Sequence, residues 1–543
     1  MDVTQNFRAG FATLFAAVSF VLLIACSNVA NLLLVRFSGR RREIALRVAI
    51  GASRSSIVRL FVFESLLVSV IAGAVGAFIA WRLVPLVPRM ASNFLPLEAN
   101  QATSLSIPVL LFTIGLSILT GLLMGIYPAL QGSHTDLVDG LKEGGRGTSG
   151  SVRQQRFRKI LVGAQVALSV TLLAGAALLI ASFIRLSQQN IGFRSESLWT
   201  GAITLPIAQY PDASSRQRLV EQTLNELHNI PGLQSATISG DIPLNGGNRT
   251  LFARADRDVP PIEKRPGAPS HDIAPDYFKT WGIPLLAGRE FNEHDVADGQ
   301  RVCLISQAGA KKIWPGEDPI GKTLLVTSLS VPCEIVGIVG DVRSQRVADA
   351  PGMEFYLPWA QENFPFVNVT VRSNLSVEAV TKLVQSALSK VNSGLAIAVP
   401  QSMDAVVAQA LGQARLMTWL LGIFAGVALL LASIGIYGAV AYTVEQRTGE
   451  IGVRMALGAQ TRDVLRLIIN QGMKPVVIGL VIGIVSAVAL GRLIASQLFE
   501  VSAHNPALLG GASVLLAATA LFACLLPARR AAMVDPVQAL RTE

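Results

Sequence analysis

The stretch FATLFAAVSFVLLIACSNVANLLLV, Phe11 to Val35, has no charged side chain in 25 residues. A helix of about 20 apolar residues crosses a hydrocarbon core of roughly 30 Å, so this segment is read as a membrane span. Six further stretches satisfy the same test: Phe61 to Val84, Ile107 to Leu130, Ile160 to Ile184, Leu416 to Thr443, Val476 to Leu498 and Pro506 to Leu526. The whole chain agrees with this reading. Its 543 residues are 51% hydrophobic and only 15% charged, and the mean hydropathy is +0.49. Such a composition excludes a single soluble domain and a disordered chain, and four cysteines are too few for a dense disulfide framework.

Charge supplies the orientation. The net charge is +10, but the basic excess is local. Segments 36–60, 131–159, 444–474 and 528–543 hold 21 of the 46 basic residues and only 9 of the 36 acidic ones. They alternate with the spans as cytoplasmic segments should, whereas the outer loop 85–106 offers a single basic residue, Arg89. This explains the basicity without nucleic acid. The topology puts Met1 outside, and MDVTQNFRAG lacks the basic region and cleavage site of a signal peptide. Those residues read as the tail of an outer domain, so the chain is expected to be the later part of a longer design or to rely on another chain.

One long polar region, about Arg185 to Arg415, lies between the fourth and fifth spans and is large enough for its own core. Alternation predicts strands at Leu198 to Leu205, Leu233 to Ser239, Val302 to Ser306, Glu334 to Val339 and Phe366 to Arg372. Helical periodicity marks Ser214 to Asn229 and Val377 to Val391. The expected fold is therefore a polytopic α-helical membrane protein of about seven spans with one α+β extracytoplasmic domain.

The two halves of the chain resemble each other. REIALRVAIGAS at Arg42 to Ser53 matches GEIGVRMALGAQ at Gly449 to Gln460, and Pro128-Ala129 with Asp136 to Lys142 matches Pro527-Ala528 with Asp535 to Arg541. Two matches in one order at nearly equal spacing mark an internal repeat. The expected divisions are a first module at 1–141, a cytoplasmic linker at 142–159, a leading span at 160–184, the outer domain at 185–415 and a second module at 416–543. KEGGRGTSGS, Lys142 to Ser151, reads as a flexible Gly/Ser stretch.

In each repeat a glutamate precedes an arginine by four positions, the favourable order for an ion pair on one helix face. Gly51 and Gly458 then offer a helix stop, and Arg54, Arg59, Arg462 and Arg466 follow. An amphipathic helix with Ile44 and Val48 turned toward lipid or protein is one reading. Recurrence in both halves favours the other, a docking surface for a cytoplasmic partner built on Glu43, Arg47, Gly51, Arg54, Glu450, Arg454, Gly458 and Arg462.

Those loops, with ACSNVANLLLVR at Ala25 to Arg36, LFEVSAHNP at Leu498 to Pro506 and LPARRAAMVDPVQALR at Leu526 to Arg541, resemble FtsX-like, or MacB-like, ABC transporter permeases. DYFKTWGIPLLAGREF at Asp276 to Phe291 and WPGEDPIGK at Trp314 to Lys322 resemble that family's extracytoplasmic core domain. Two modules in one chain are similar to the duplicated-permease subgroup noted in acidobacteria, although the first helix and first outer domain of that pattern are lacking. The resemblance implies a non-catalytic permease subunit of the bacterial inner membrane, needing no cofactor. It also implies a separate cytoplasmic ATPase subunit and export by mechanotransmission, with an extracytoplasmic adaptor or channel and the surrounding lipids as further partners. A different class also fits: a regulatory membrane protein that activates an extracytoplasmic partner such as a cell-wall hydrolase.

Several motifs are expected to be inert. GEDPIGKT, Gly316 to Thr323, satisfies the P-loop pattern, yet a helix-like segment precedes it, a β-prone one follows and Pro319 removes an amide, so it reads as a turn. His134, His228, His271, His294 and His504 form no metal-binding spacing and read as surface or loop residues. Cys26 and Cys524 read as packing residues, while a bridge between Cys303 and Cys333 is left open. The sequons at Asn248, Asn368 and Asn374 carry little information. Gly121-x3-Gly125 and Gly479-x3-Gly483 read as helix contacts. Glu64 and Arg492, near span ends, read as interfacial or helix-bonding charges.

Overall fold

The structure is a computed structural model that describes residues 3–40, 43, 46–47, 50–86, 107–132, 149–206, 208–245, 248–292, 294–296, 299–326, 332–362 and 366–533. The loop with Arg89, residues Ile44 and Val48, His134, and the repeat segments 136–142 and 535–541 lie outside the described residues. The chain divides into two compact units, a helical one and one comprising mainly residues 186–413.

Seven helices of the first unit are long and apolar enough to cross a membrane: Val3–Gly39, Arg54–Leu83, Ile107–Gly132, Ser149–Ser187, Gly412–Gln446, Thr461–Ile494 and Pro506–Ala532. Capping residues start the second and the seventh of them. Ser53 caps the second span by accepting from the Ser56 amide at 3.3 Å, and Asn505 caps the seventh ahead of Pro506. The fourth helix starts at Ser149, well before the apolar run, so the end of the expected flexible linker is helical.

Small residues let these helices touch. A Cβ on Gly479 would stand 2.5 Å from the Gly163 carbonyl oxygen, and one on Gly483 2.8 Å from that of Ala167. A Cβ on Gly121 would stand 3.1 Å from the Cβ of Ser69, and one on Gly125 would strike the Ser65 hydroxyl. Both small-residue pairs are thus helix contacts. Polar side chains also bond across the helices: Asn28 Nδ2 and Gln165 Nε2 both donate to the Leu431 carbonyl, at 2.8 and 2.7 Å.

The outer unit is a mixed α+β domain built on eleven strands: β1 Leu198–Thr204, β2 Ser235–Ser239, β3 Asn248–Arg254, β4 Gly267–Ile273, β5 Leu285–Gly288, β6 Val302–Ser306, β7 Thr323–Val326, β8 Pro332–Val339, β9 Phe355–Pro358, β10 Phe366–Arg372 and β11 Ile397–Ser402. One lobe is a split βαβ frame with strand order β11-β1-β10-β2. Helices Ala213–His228 and Val377–Val391 cover it, burying Leu219, Leu227, Val380 and Val384 against Trp199, Ile238 and Val369. The chain between β2 and β10 forms the second lobe, where β4-β3-β7-β8-β6-β9 closes on itself through the parallel β4–β9 pairing. Closure removes exposed strand edges.

The histidine readings change here, while the turn reading holds. His271 is not a surface histidine: it is 2% exposed, with Nδ1 2.8 Å from Asp241 Oδ2 and Nε2 3.5 Å from Glu354 Oε2. His228 also has protein partners, the Ala236 carbonyl at 3.2 Å and Asp276 at 3.5 Å. GEDPIGKT runs from the helix Gln307–Ile313 into β7, and Lys322 pairs with Glu317, so the expected turn is what forms. Cys303 and Cys333 are buried free thiols with their sulfurs 2.8 Å apart, and Cys26 and Cys524 are buried within spans.

Candidate functional site: the cytoplasmic segments

With residues 186–413 outside the membrane, counting spans in either direction places residues 40–53 and 447–460 on the cytoplasmic side. Both segments build the same device. In the first, Glu43 and Arg47 are helical, and Arg47 Nη2 lies 2.7 Å from Glu43 Oε1, while Arg40 Nε holds the other oxygen at 2.9 Å. In the second, helix Thr448–Ala456 carries Arg454 Nη2 2.8 Å from Glu450 Oε1, with Arg447 Nε 4.0 Å from Oε2. All four side chains of the i,i+4 pairs are well exposed to solvent, so each pair orders its helix only weakly.

Both devices end alike. Gly51 has φ +99° and Gly458 φ +96°, the left-handed region that only glycine enters without strain. The amide after each glycine returns to the arginine carbonyl: Ala52 N to Arg47 O at 2.9 Å, and Ala459 N to Arg454 O at 3.0 Å. That long-reach bond is the signature of a Schellman stop. Among the described residues no atom outside the glycine's own stretch of chain lies within 4 Å of a Cβ added at either position, so backbone conformation rather than crowding requires them. A new span then starts at once, at Arg54 and at Thr461, the latter through a capping box between Gln460 and Asp463.

The repeat therefore brings Glu43, Arg47 and Gly51 together, and likewise Glu450, Arg454 and Gly458. Arg54 and Arg462 are exposed at the starts of the following spans, but they are not matched positions, since Arg54 corresponds to Thr461 and Arg462 to Ser55. Two apolar pairs were missed by sequence reasoning. Ile50 is 86% exposed and its counterpart Leu457 82%, and Leu46 and Val453 are also open to solvent. The aligned repeats held that signal, because apolar residues beside a turn glycine in both copies have no interior to fill.

The correspondence extends behind the device. Arg40 also reaches Glu64 of the second span at 3.3 Å, and Arg36 joins it at 3.0 Å. Arg447, the counterpart of Arg40, instead donates to Gln471, the counterpart of Glu64, at 3.3 Å. Glu64 is thus a helix-bonding charge, and the second module keeps its bond with a neutral amide.

The profile of the FtsX-like permease C-terminal family matches twice, at residues 15–137 and 422–536, and that of the MacB-like periplasmic core domain matches residues 165–387. The pyoverdine export ATP-binding/permease protein PvdT of Pseudomonas syringae pv. tomato is 28% identical over 269 residues, 48% of this chain and 40% of that protein. The macrolide export ATP-binding/permease protein MacB of Acinetobacter baylyi is 28% identical over 299 residues, 52% of this chain and 43% of that one. The chain spans about half or less of the length of these relatives. Among solved structures, the periplasmic region of MacB from Actinobacillus actinomycetemcomitans matches with 17% identity, 40% of this chain and 94% of that one covered, and a TM-score of 0.27. With two permease matches flanking one core-domain match, this multi-pass inner membrane protein with an extracytoplasmic domain belongs to the FtsX-like, MacB-like family of ABC transporter permeases.

Proposed function

We propose that the chain is the permease subunit of an ABC exporter, without catalytic chemistry of its own, and that a separate ATPase subunit docks on its cytoplasmic segments. In this reading 1–141 and 416–543 are the two permease modules, 142–159 the linker, 160–184 the leading span and 185–415 the outer domain. The observation that carries it is the doubled device: an ion-paired helix, an exposed apolar residue and a glycine stop, repeated at Glu43–Arg47–Ile50–Gly51 and Glu450–Arg454–Leu457–Gly458. Exposed apolar residues in matched positions suit a protein partner, because the ion pairs beside them add too little stability to be the reason for the arrangement. Closure of the ATPase on ATP would push both segments, tilt the spans they open, and move the outer domain through the fourth and fifth spans that lead into it. The names of the relatives join ATP-binding and permease functions in export, which supports the same coupling.

Pull-down of the ATPase by wild type, Arg47→Glu, Arg454→Glu and Leu457→Asp tests this. Arg454→Glu and Leu457→Asp should lose most of the partner while inserting normally, and Arg47→Glu should lose less, since only the second module follows the outer domain directly. Undiminished capture by all three variants would refute docking at these segments.

A further inference from the structure

A cleft of about 240 Å³ lies among the fourth, fifth and sixth spans, beside the second cytoplasmic segment. Its polar wall is Arg158, Lys159, Tyr442, Arg447, Gln471 and Lys474. Arg158 is only 6% exposed, and its guanidinium stacks over the Tyr442 ring with the carbon 3.8 Å from the ring centroid. Its Nε and Nη2 meet no acceptor among the described residues. A buried guanidinium with two unpaired N–H edges is costly, and the group that best answers its planar fork is an oxyanion with two free oxygens. The one acid lining the cleft, Glu450, is already held by Arg454 and Arg447.

Four cations thus face one engaged carboxylate. The opposite wall is apolar, with Val162, Ile436, Val440 and Ile468 all nearly inaccessible to solvent. A cationic rim above apolar helix walls, at the cytoplasmic end of a helix bundle, fits a phosphodiester that continues into acyl chains better than it fits a small hydrated ion. We propose that this cleft holds the phosphate headgroup of an anionic phospholipid of the cytoplasmic leaflet, with Arg158 at its base and Lys159 and Lys474 at its exposed rim. Arg447 and Glu450 belong both to this cleft and to the second docking device, so lipid occupancy bears directly on that segment.

Native mass spectrometry of the full chain released from detergent tests the assignment, with dioleoylphosphatidylglycerol, dioleoylphosphatidylcholine and inorganic phosphate as separate probes. Phosphatidylglycerol should be retained in preference to phosphatidylcholine. Lys159→Gln and Lys474→Gln should each weaken retention by about fivefold, the equivalent of about 1 kcal/mol for a cation near the headgroups. Arg158→Gln should weaken it further, and if that variant does not fold, the two exposed lysines decide alone. Equal retention of both lipids, displacement of lipid by inorganic phosphate, or retention unchanged in the lysine variants would each overturn the proposal.

Discussion

Raising the pH from 7 to 9 should destabilise the outer domain, and the reason is His271. Burial opposes a charge on this ring, but the carboxylates of Asp241 and Glu354 outweigh it and push its pKa up to about 10. Tyr356 and Ser344 both donate to Glu354 and hold its carboxylate beside the ring. In the unfolded chain a histidine titrates near 6.5. The folded state therefore holds a proton that the unfolded state lacks between about 6.5 and 10. Stability from this site is fully present below the lower value and declines through the upper one, at about 1.4 kcal/mol for each pH unit. Asp272 acts in the same direction at lower pH. Burial first, then repulsion from Glu362 and Asp241, raises its pKa to about 7, so its contribution falls between about 4 and 7 and is constant above that. From pH 7 to 9 the loss is about 3 kcal/mol, or roughly 5–10 °C in Tm for a domain of this size. Tryptophan fluorescence of the full chain in detergent reads this transition, because Trp199, Trp281, Trp314 and Trp359, four of the six tryptophans, are buried in the outer domain. His271→Gln should lower the starting Tm, since it strands buried Glu354 and half-buried Asp241, and should flatten the slope. A Tm that is level between pH 7 and 9 in wild type, or an equal slope in the variant, would refute the reasoning.

Lys322→Ala removes a half-buried partner of exposed Glu317 and a cation 5.8 Å from the Trp314 ring centroid, so it should cost about 1 kcal/mol and leave ATP hydrolysis by the assembled complex unchanged. Gly479→Val should destabilise the helical unit by about 1–3 kcal/mol in detergent melts, because its new side chain meets backbone at Gly163, whereas Gly510→Val, with no atom within 4 Å, should be nearly neutral. Membrane-impermeant thiol labelling of intact cells, in a background without the four native cysteines, should modify Ser214→Cys and spare Ser149→Cys.

The spans were legible because length and lack of charge are local properties that no distant contact can reverse. Val302–Ser306 and Phe366–Arg372 formed with the bounds expected of them, since β-branched and aromatic residues cluster there. Strands such as β4, GAPSHDI, and β11, IAVPQS, were illegible: glycine, proline and buried polar residues give no alternation, and only pairing to distant strands makes them extended. His271 failed for the same reason. Its burial is created by the β4–β9 pairing and by Asp241 and Glu354, which lie far along the chain in opposite directions. The repeat located the cytoplasmic devices, and the apolar residues beside the two turn glycines, Ile50 and Leu457, were the part of its signal left unread.

The Arg40–Glu64 ion pair and its counterpart Arg447–Gln471 show what tandem duplication permits. Two identical subunits inherit every mutation in both copies, so neither can change without the other. Here each copy occupies its own codons, and one carries an amide where the other carries a carboxylate, at the contact behind the cytoplasmic segment. A single substitution can therefore alter one cytoplasmic segment and leave its twin as an internal control, a separation of left from right that no symmetric dimer offers to selection or to the geneticist.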